Sequence, residues 1–126
     1  AANEERALFD YATAGSAVIT SDRVNGTAVY GADDRHIGTI DHLVIDKVSG
    51  KITYAVMSFG GFLGLGQDFH PIPWAALRYD TQLGGYRTGI TEDQLRAAPA
   101  RTDDWYRDRR WEERAYGHYG VPPYWI

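Results

Sequence analysis

Ile37-Gly38-Thr39-Ile40-Asp41-His42-Leu43-Val44-Ile45-Asp46 is followed by Lys47-Val48-Ser49-Gly50 and then by Lys51-Ile52-Thr53-Tyr54-Ala55-Val56-Met57-Ser58-Phe59. Two runs rich in β-branched and aromatic residues flank a short polar stretch ending in glycine, which can take the positive φ of a tight turn. The spacing predicts a β-hairpin. In the first run the apolar positions Ile37, Ile40, Leu43 and Ile45 break strict alternation, and a β-bulge near Gly38 or Thr39 accounts for the slip. In the second run Tyr54, Val56 and Ser58 share one face and Thr53, Ala55, Met57 and Phe59 the other. Neither face is polar, so this strand is expected to be covered on both sides.

On both sides of this hairpin, short runs of the same kind recur between Gly, Asp and Asn. Residues 17–20 and 26–30 read as strands, with the polar stretch 31–36 returning the chain into the hairpin. After the glycine-rich residues 60–66 comes a short strand at 69–72, and Pro73 suits the first turn of a short helix. Residues 78–81 and 86–90, joined through Gly84-Gly85, read as a closing hairpin. Thr91 is placed to cap a helix whose first turn carries Glu92 and Asp93, with Pro99 limiting its extension. Residues 103–115 read as a second helix, and 117–126, with Gly120, Pro122 and Pro123, as an extended tail.

The order and spacing of four segments resemble the PRC-barrel domain: Ser21-Asp22-Arg23-Val24-Asn25-Gly26, the strand Ile37 to Asp46, Phe59-Gly60-Gly61-Phe62-Leu63-Gly64-Leu65-Gly66, and Ile72-Pro73-Trp74. That domain is named for the H subunit of the photosynthetic reaction centre and is shared with the ribosome maturation factor RimM. The resemblance spans residues 16–90 and implies an all-β fold, a small antiparallel barrel of about six strands serving as an adaptor, with no catalytic centre common to the family. Residues 1–15 then form an N-terminal extension, and 91–126 a helical and aromatic C-terminal extension. No catalytic or binding residue carries over one by one.

Composition narrows the function classes. The chain has 126 residues, 44% hydrophobic and 24% charged, with 13 Lys and Arg against 17 Asp and Glu and no cysteine. Disulfides, thiolate metal sites and cysteine nucleophiles are excluded. The formal charge of −4 argues against direct nucleic-acid binding, which draws on clustered Lys and Arg. No apolar run approaches the roughly 20 residues that cross a bilayer, and residues 1–15 lack the form of a signal peptide. The expectation is a soluble, cytoplasmic protein without membrane insertion.

Candidate sites were weighed against simpler roles. The stretch 61–66 lacks the Lys-Ser/Thr ending and helix of a phosphate loop, so Phe62, Leu63 and Leu65 read either as a plug at a barrel end or as an exposed patch that docks a partner. His36, His42, His70 and His118 show no metal-ligand spacing. His42 beside Asp41 and Asp46 suggests at most a metal or proton site, against the simpler reading of an exposed strand histidine. Asp33 and Asp34 fit turns. Ser21 and Ser49 lack a nucleophile elbow, and Trp74 reads as a core aromatic.

The C-terminal segment is the least ordinary. Trp105, Tyr106, Trp111, Tyr116, Tyr119, Tyr124 and Trp125 are seven of the chain's 17 aromatics, so burial against the barrel or against another subunit is required. Five arginines and five acidic residues between Arg101 and Arg114 balance its charge, unlike an RNA-binding tail. If helical, it places Arg107 near Trp111 and sets Asp104 and Asp108 near arginines. Aromatics and arginine dominate interface hot spots. The residues therefore favour a non-enzymatic protein-binding adaptor, a homodimer with an unidentified protein partner, requiring no cofactor. Its contact candidates are Phe62, Leu63, Leu65, Trp105, Tyr106, Trp111 and Tyr116. A regulatory barrel binding a small ligand or a metal through Asp41 and His42, and a RimM-like role in ribosome assembly, are the alternatives.

Overall fold

Asp46 shows how the central hairpin is set. Its carboxylate accepts from the Ser49 hydroxyl at 2.6 Å, its backbone carbonyl accepts from the Gly50 N–H at 2.8 Å, and its own N–H donates to the Lys51 carbonyl at 2.8 Å. Gly50 sits at φ 75°, where a side chain would be strained. The Ser49 hydroxyl, foremost, holds the Asp46 carboxyl below its usual pKa.

The computed structural model describes residues 18–59 and 68–125. A short helix α1 (Ser21–Val24) precedes β1 (Ala28–Tyr30), β2 (His36–Ile45), β3 (Ile52–Phe59) and β4 (Asp68–Pro73). A 3₁₀ turn, Trp74–Ala76, leads to β5 (Leu77–Asp80) and β6 (Gly85–Thr88), followed by α2 (Glu92–Arg96), a 3₁₀ turn at Trp105–Arg107 and α3 (Arg109–Tyr119). Residues 18–20 are not a strand, contrary to the pattern. Their apolar side chains Val18 and Ile19 are exposed, so no sheet face holds them. Residue 17 lies outside the described residues.

The strands form one six-stranded sheet in the order β4-β3-β2-β1-β6-β5. It is mixed rather than antiparallel throughout, because β1 and β6 run parallel. The cause is the connection at 74–76. A hairpin would reverse the chain, but this 3₁₀ turn carries it from one edge strand, β4, to the other, β5, in the same sense. β6 must then run as β1 does. An edge-to-edge link of three residues also requires the sheet to curl into a half-barrel. The barrel is not closed, since β4 and β5 remain its two edges. Pro71 and Pro73, each lacking an N–H, suit the edge position of β4.

The slip in β2 occurs beside the expected place. Gly38, Ile40 and Leu43 oppose Phe59, Met57 and Ala55 on the inner face, so the bulge that keeps Ile40 and Leu43 together falls at Asp41. A second irregularity sets Ile37 out of register with β1. Gly38 takes the inward place expected for Ile37. A Cβ there would meet the Met57 sulfur at 2.6 Å as well as the Ser58 carbonyl oxygen.

The inner core joins Val29, Ile40, Ala55, Met57, Ile72 and Leu77 to Val24, Leu95 and Tyr119 from the helices. Leu95 is delivered by a capping box. The Thr91 hydroxyl accepts from the Gln94 N–H at 3.1 Å, and the Gln94 side chain accepts from the Thr91 N–H at 2.9 Å. At the far edge Arg87 bonds to Asp34, to Asp80 at 3.1 Å and to the Gly31 carbonyl at 3.3 Å. It thereby ties the β1–β2 turn to the β5–β6 hairpin. The Leu83 N–H, then Arg87, lowers the Asp80 pKa.

The C-terminal helix starts later and ends later than the 103–115 expected. Asp108, not Asp103 or Asp104, is the N-cap, its carboxylate accepting from the Trp111 N–H at 3.2 Å. Gly120 ends the helix in the left-handed region at φ 68°, as glycine commonly does. Residues 117–119, expected in the tail, are therefore helical. Among the described residues no helix is long and apolar enough to cross a membrane.

Candidate functional site

On the outer face of β3 the Tyr54 ring is the hub of an aromatic layer. Trp105 lies 5.5 Å from it, Tyr116 5.6 Å, Trp111 5.9 Å and Tyr124 6.1 Å, centroid to centroid. Most of these pairs are edge to face, the arrangement that aromatic quadrupoles favour. The rings of Tyr54, Trp105, Trp111 and Tyr116, together with Ala115, Val44, Val121 and Trp125, make a second core, which Val121 also joins to the first.

Each ring is held by a specific device. The Asp108 cap starts α3 so that Trp111, Ala115 and Tyr116 face the sheet. The Trp111 indole N–H donates to the Pro99 carbonyl at 3.3 Å, and the Tyr116 hydroxyl donates to the Thr53 carbonyl at 3.0 Å. After Gly120 the chain turns back, and Tyr124 and Trp125 reach within 5.7 and 5.2 Å of the Tyr116 ring.

Inside this layer lies a carboxylate. Glu112 is 2% exposed, accepts from the Tyr124 hydroxyl at 2.7 Å and has the Arg109 Nε at 3.8 Å. Arg109 in turn lies over the Trp125 ring at 4.1 Å. Burial, followed by the Glu112 charge, raises the Tyr54 pKa. Burial first, with the hydrogen bond to Glu112 next, raises Tyr124 to about 12. Among the described residues the Tyr54 hydroxyl has no hydrogen-bond partner of good geometry. Sequence reasoning passed over Glu112, yet its signal was present. It shares the helical stripe of Ala115, Tyr116 and Tyr119, at the spacing of one buried face.

The expected contact residues separate into three groups. Phe62, Leu63 and Leu65 lie outside the described residues. Trp111 and Tyr116 are each 2% exposed, packed within their own chain, and Trp105 is half-buried against Tyr54. Tyr106 is 49% exposed, with the Arg107 guanidinium 5.4 Å from its ring centroid and the Arg107–Asp104 ion pair at 3.5 Å. Arg107 thus covers Tyr106 rather than Trp111. Around the layer, Tyr124, Ile45 and Val48 are also exposed, the last two at the β2–β3 turn.

His42 bonds Asp41 at 2.7 Å on the exposed surface, while Asp46 serves its turn. His118 bonds the Gln94 carbonyl at 2.7 Å, and His36 packs against Tyr30. Among the described residues no three His, Cys, Asp or Glu side chains converge as a metal site would require. Trp74 packs against the inner core, 5.3 Å from the Tyr86 ring.

A half-barrel entered through α1, with an edge-to-edge link after Ile72-Pro73-Trp74, is matched by the family model of the PRC-barrel domain over residues 17–95. The chain belongs to the PRC-barrel family. Among solved structures it is similar to a putative 16S ribosomal RNA processing protein RimM from Pseudomonas aeruginosa, 19% identical with a TM-score of 0.41. The likeness covers 63% of this chain and 48% of that one, so the chain spans about half of that protein's length. Comparison with curated proteins returned no match. The PRC-barrel match includes Tyr54 and ends at Leu95. The rings that cover Tyr54 come from beyond it.

Proposed function

We propose that this PRC-barrel chain is a non-enzymatic adaptor that recognises another protein and self-associates as a homodimer, using the exposed rim of the aromatic layer. The observation that carries this reading is the division within that layer. Trp111 and Tyr116 are consumed by packing, whereas Tyr106, Tyr124, Val48 and the guanidinium groups of Arg107 and Arg109 remain at the surface. Aromatic and arginine side chains over a rigid base are the composition of interface hot spots. Tyr106, Arg107, Arg109 and Tyr124 lie outside the family match, which contains Val48, so most of the rim comes from beyond the matched domain.

Deleting the tail would uncover Tyr54 and confound recognition with folding, so surface variants make the better test. Tyr106→Ser with Arg107→Ser, and Val48→Ser separately, are to be compared with the unaltered chain in sedimentation and in capture from native lysate. The expected result is a dimer, and a captured protein, weakened by the rim variants while their melting stays close to that of the parent. A chain that sediments as a monomer at all concentrations and captures the same material with or without the rim would overturn the reading.

A further inference from the structure

A cavity of about 210 Å³ opens between β4, the end of α2, residues 98–101 and α3. Its apolar wall is Leu95, Trp111, Ala115 and Tyr119, all of them buried. Its polar lining carries His70, Arg96 and Arg101, and no carboxylate among the described residues. In a chain with a formal charge of −4, a cavity that joins basic side chains to a buried apolar wall is a selective environment. We propose that it binds a small organic anion, a single ring or similarly compact apolar body bearing a carboxylate or phosphate.

Size, charge and an unmet hydrogen bond agree. An apolar cavity of roughly 150 Å³ holds benzene, so the space here admits one ring and an anionic group but not a folded peptide. Arg96 already bonds Glu92 at 3.3 Å and Asp93 at 3.4 Å, which leaves it partly neutralised. Arg101 has no ion-pair partner among the described residues, and guanidinium groups recognise carboxylate and phosphate through paired donors. The Trp111 indole N–H is committed to the Pro99 carbonyl. The Tyr119 hydroxyl, by contrast, is buried with no hydrogen-bond partner among the described residues. A neutral ligand would make no use of Arg101, which is exposed and lines the cavity, and a cation would be repelled. This inference stands apart from the rim proposed for protein recognition, because the cavity's lining contains none of the rim residues.

The test is a titration of the full chain followed by amide and indole NMR, with phenylacetate, phenyl phosphate and neutral phenylacetamide as probes. At least one anion should saturate, moving the Trp111 indole signal and the amides of Leu95 and Ala115, about tenfold more tightly than the amide. Arg96→Gln with Arg101→Gln should bring the anion down to the level of phenylacetamide. Ala98→Leu, which narrows the cavity without touching charge, should weaken all three probes. Saturation by only one anion would assign the head group. The proposal is overturned if neither anion saturates, if the shifts map elsewhere, or if the arginine double variant melts normally and binds as tightly as the parent.

Discussion

On the inner face of β3, Ala55, Met57 and Phe59 meet aliphatic and aromatic side chains from the five other strands and from Val24 and Leu95. On the outer face Tyr54 meets rings that lie more than fifty residues further along the chain. The inner contact set is mostly the family domain packing on itself. The outer set is an added segment, and it brings hydroxyls and a carboxylate into the protein. One strand thus serves two cores with different vulnerabilities. Volume governs the inner core, and the ionisation of polar groups also governs the outer.

Alkali should separate the two most strongly. In the outer layer burial, and after it the Glu112 charge, raises Tyr54, Tyr116 and Tyr124, the last to about 12. In the inner core burial raises Tyr86 and Tyr119 without a carboxylate charge to add to it. An acid whose folded pKa lies above its unfolded value of about 10 lends stability that is complete below pH 10 and is lost as pH rises through the folded value. Between about pH 10 and 12 the outer layer should release cooperatively, seen as tyrosinate absorbance appearing together with a change in tryptophan emission. Tyrosines that titrate singly near pH 10 with no emission change would refute the contrast.

Trp111→Ala should come next, costing about 3–5 kcal/mol in denaturant melts while strand circular dichroism persists. Gly38→Ala, a change on the inner face, is expected to cost about 1–3 kcal/mol through overpacking against Met57 and Ser58. It should lower the melting temperature without altering the tyrosine titration. Tyr124→Phe removes the hydroxyl that satisfies the buried Glu112 and should cost about 1–2 kcal/mol, read in denaturant melts. Val48→Ser, at a side chain that is 96% exposed, should change stability by no more than about 0.5 kcal/mol, so any effect it has on association reports recognition.

Much of the inner fold was legible. The β2–β3 hairpin, the two-sided burial of β3 and the Thr91 cap all rest on alternation, turn residues and capping chemistry, which operate within a few residues. The parallel β1–β6 pair was not legible, because it follows from a three-residue crossing between sheet edges that resembles an ordinary turn in sequence. The start of α3 was misread because Asp103, Asp104 and Asp108 are chemically equal as caps. Only Asp108 sets the helix so that Trp111 and Tyr116 fall on Tyr54. Of the candidate contacts, the tail's aromatic excess was visible, but its division into buried Trp111 and exposed Tyr106 depended on which face α3 turned to the sheet.

Local properties, hydrophobic period and backbone preference, place the six strands of the sheet, the β2–β3 turn and the need for a cover over β3. They also suggest a strand at 17–20, of which the described residues 18–20 form none. The tertiary structure alone decided what the cover is and how it is fastened. The Tyr116 hydroxyl reaches the Thr53 carbonyl across 63 residues of chain, and Glu112 is buried among rings from three separate segments. Such contacts exist only after the sheet has curled and α3 has docked, because their free energy depends on distances that the order of residues does not contain.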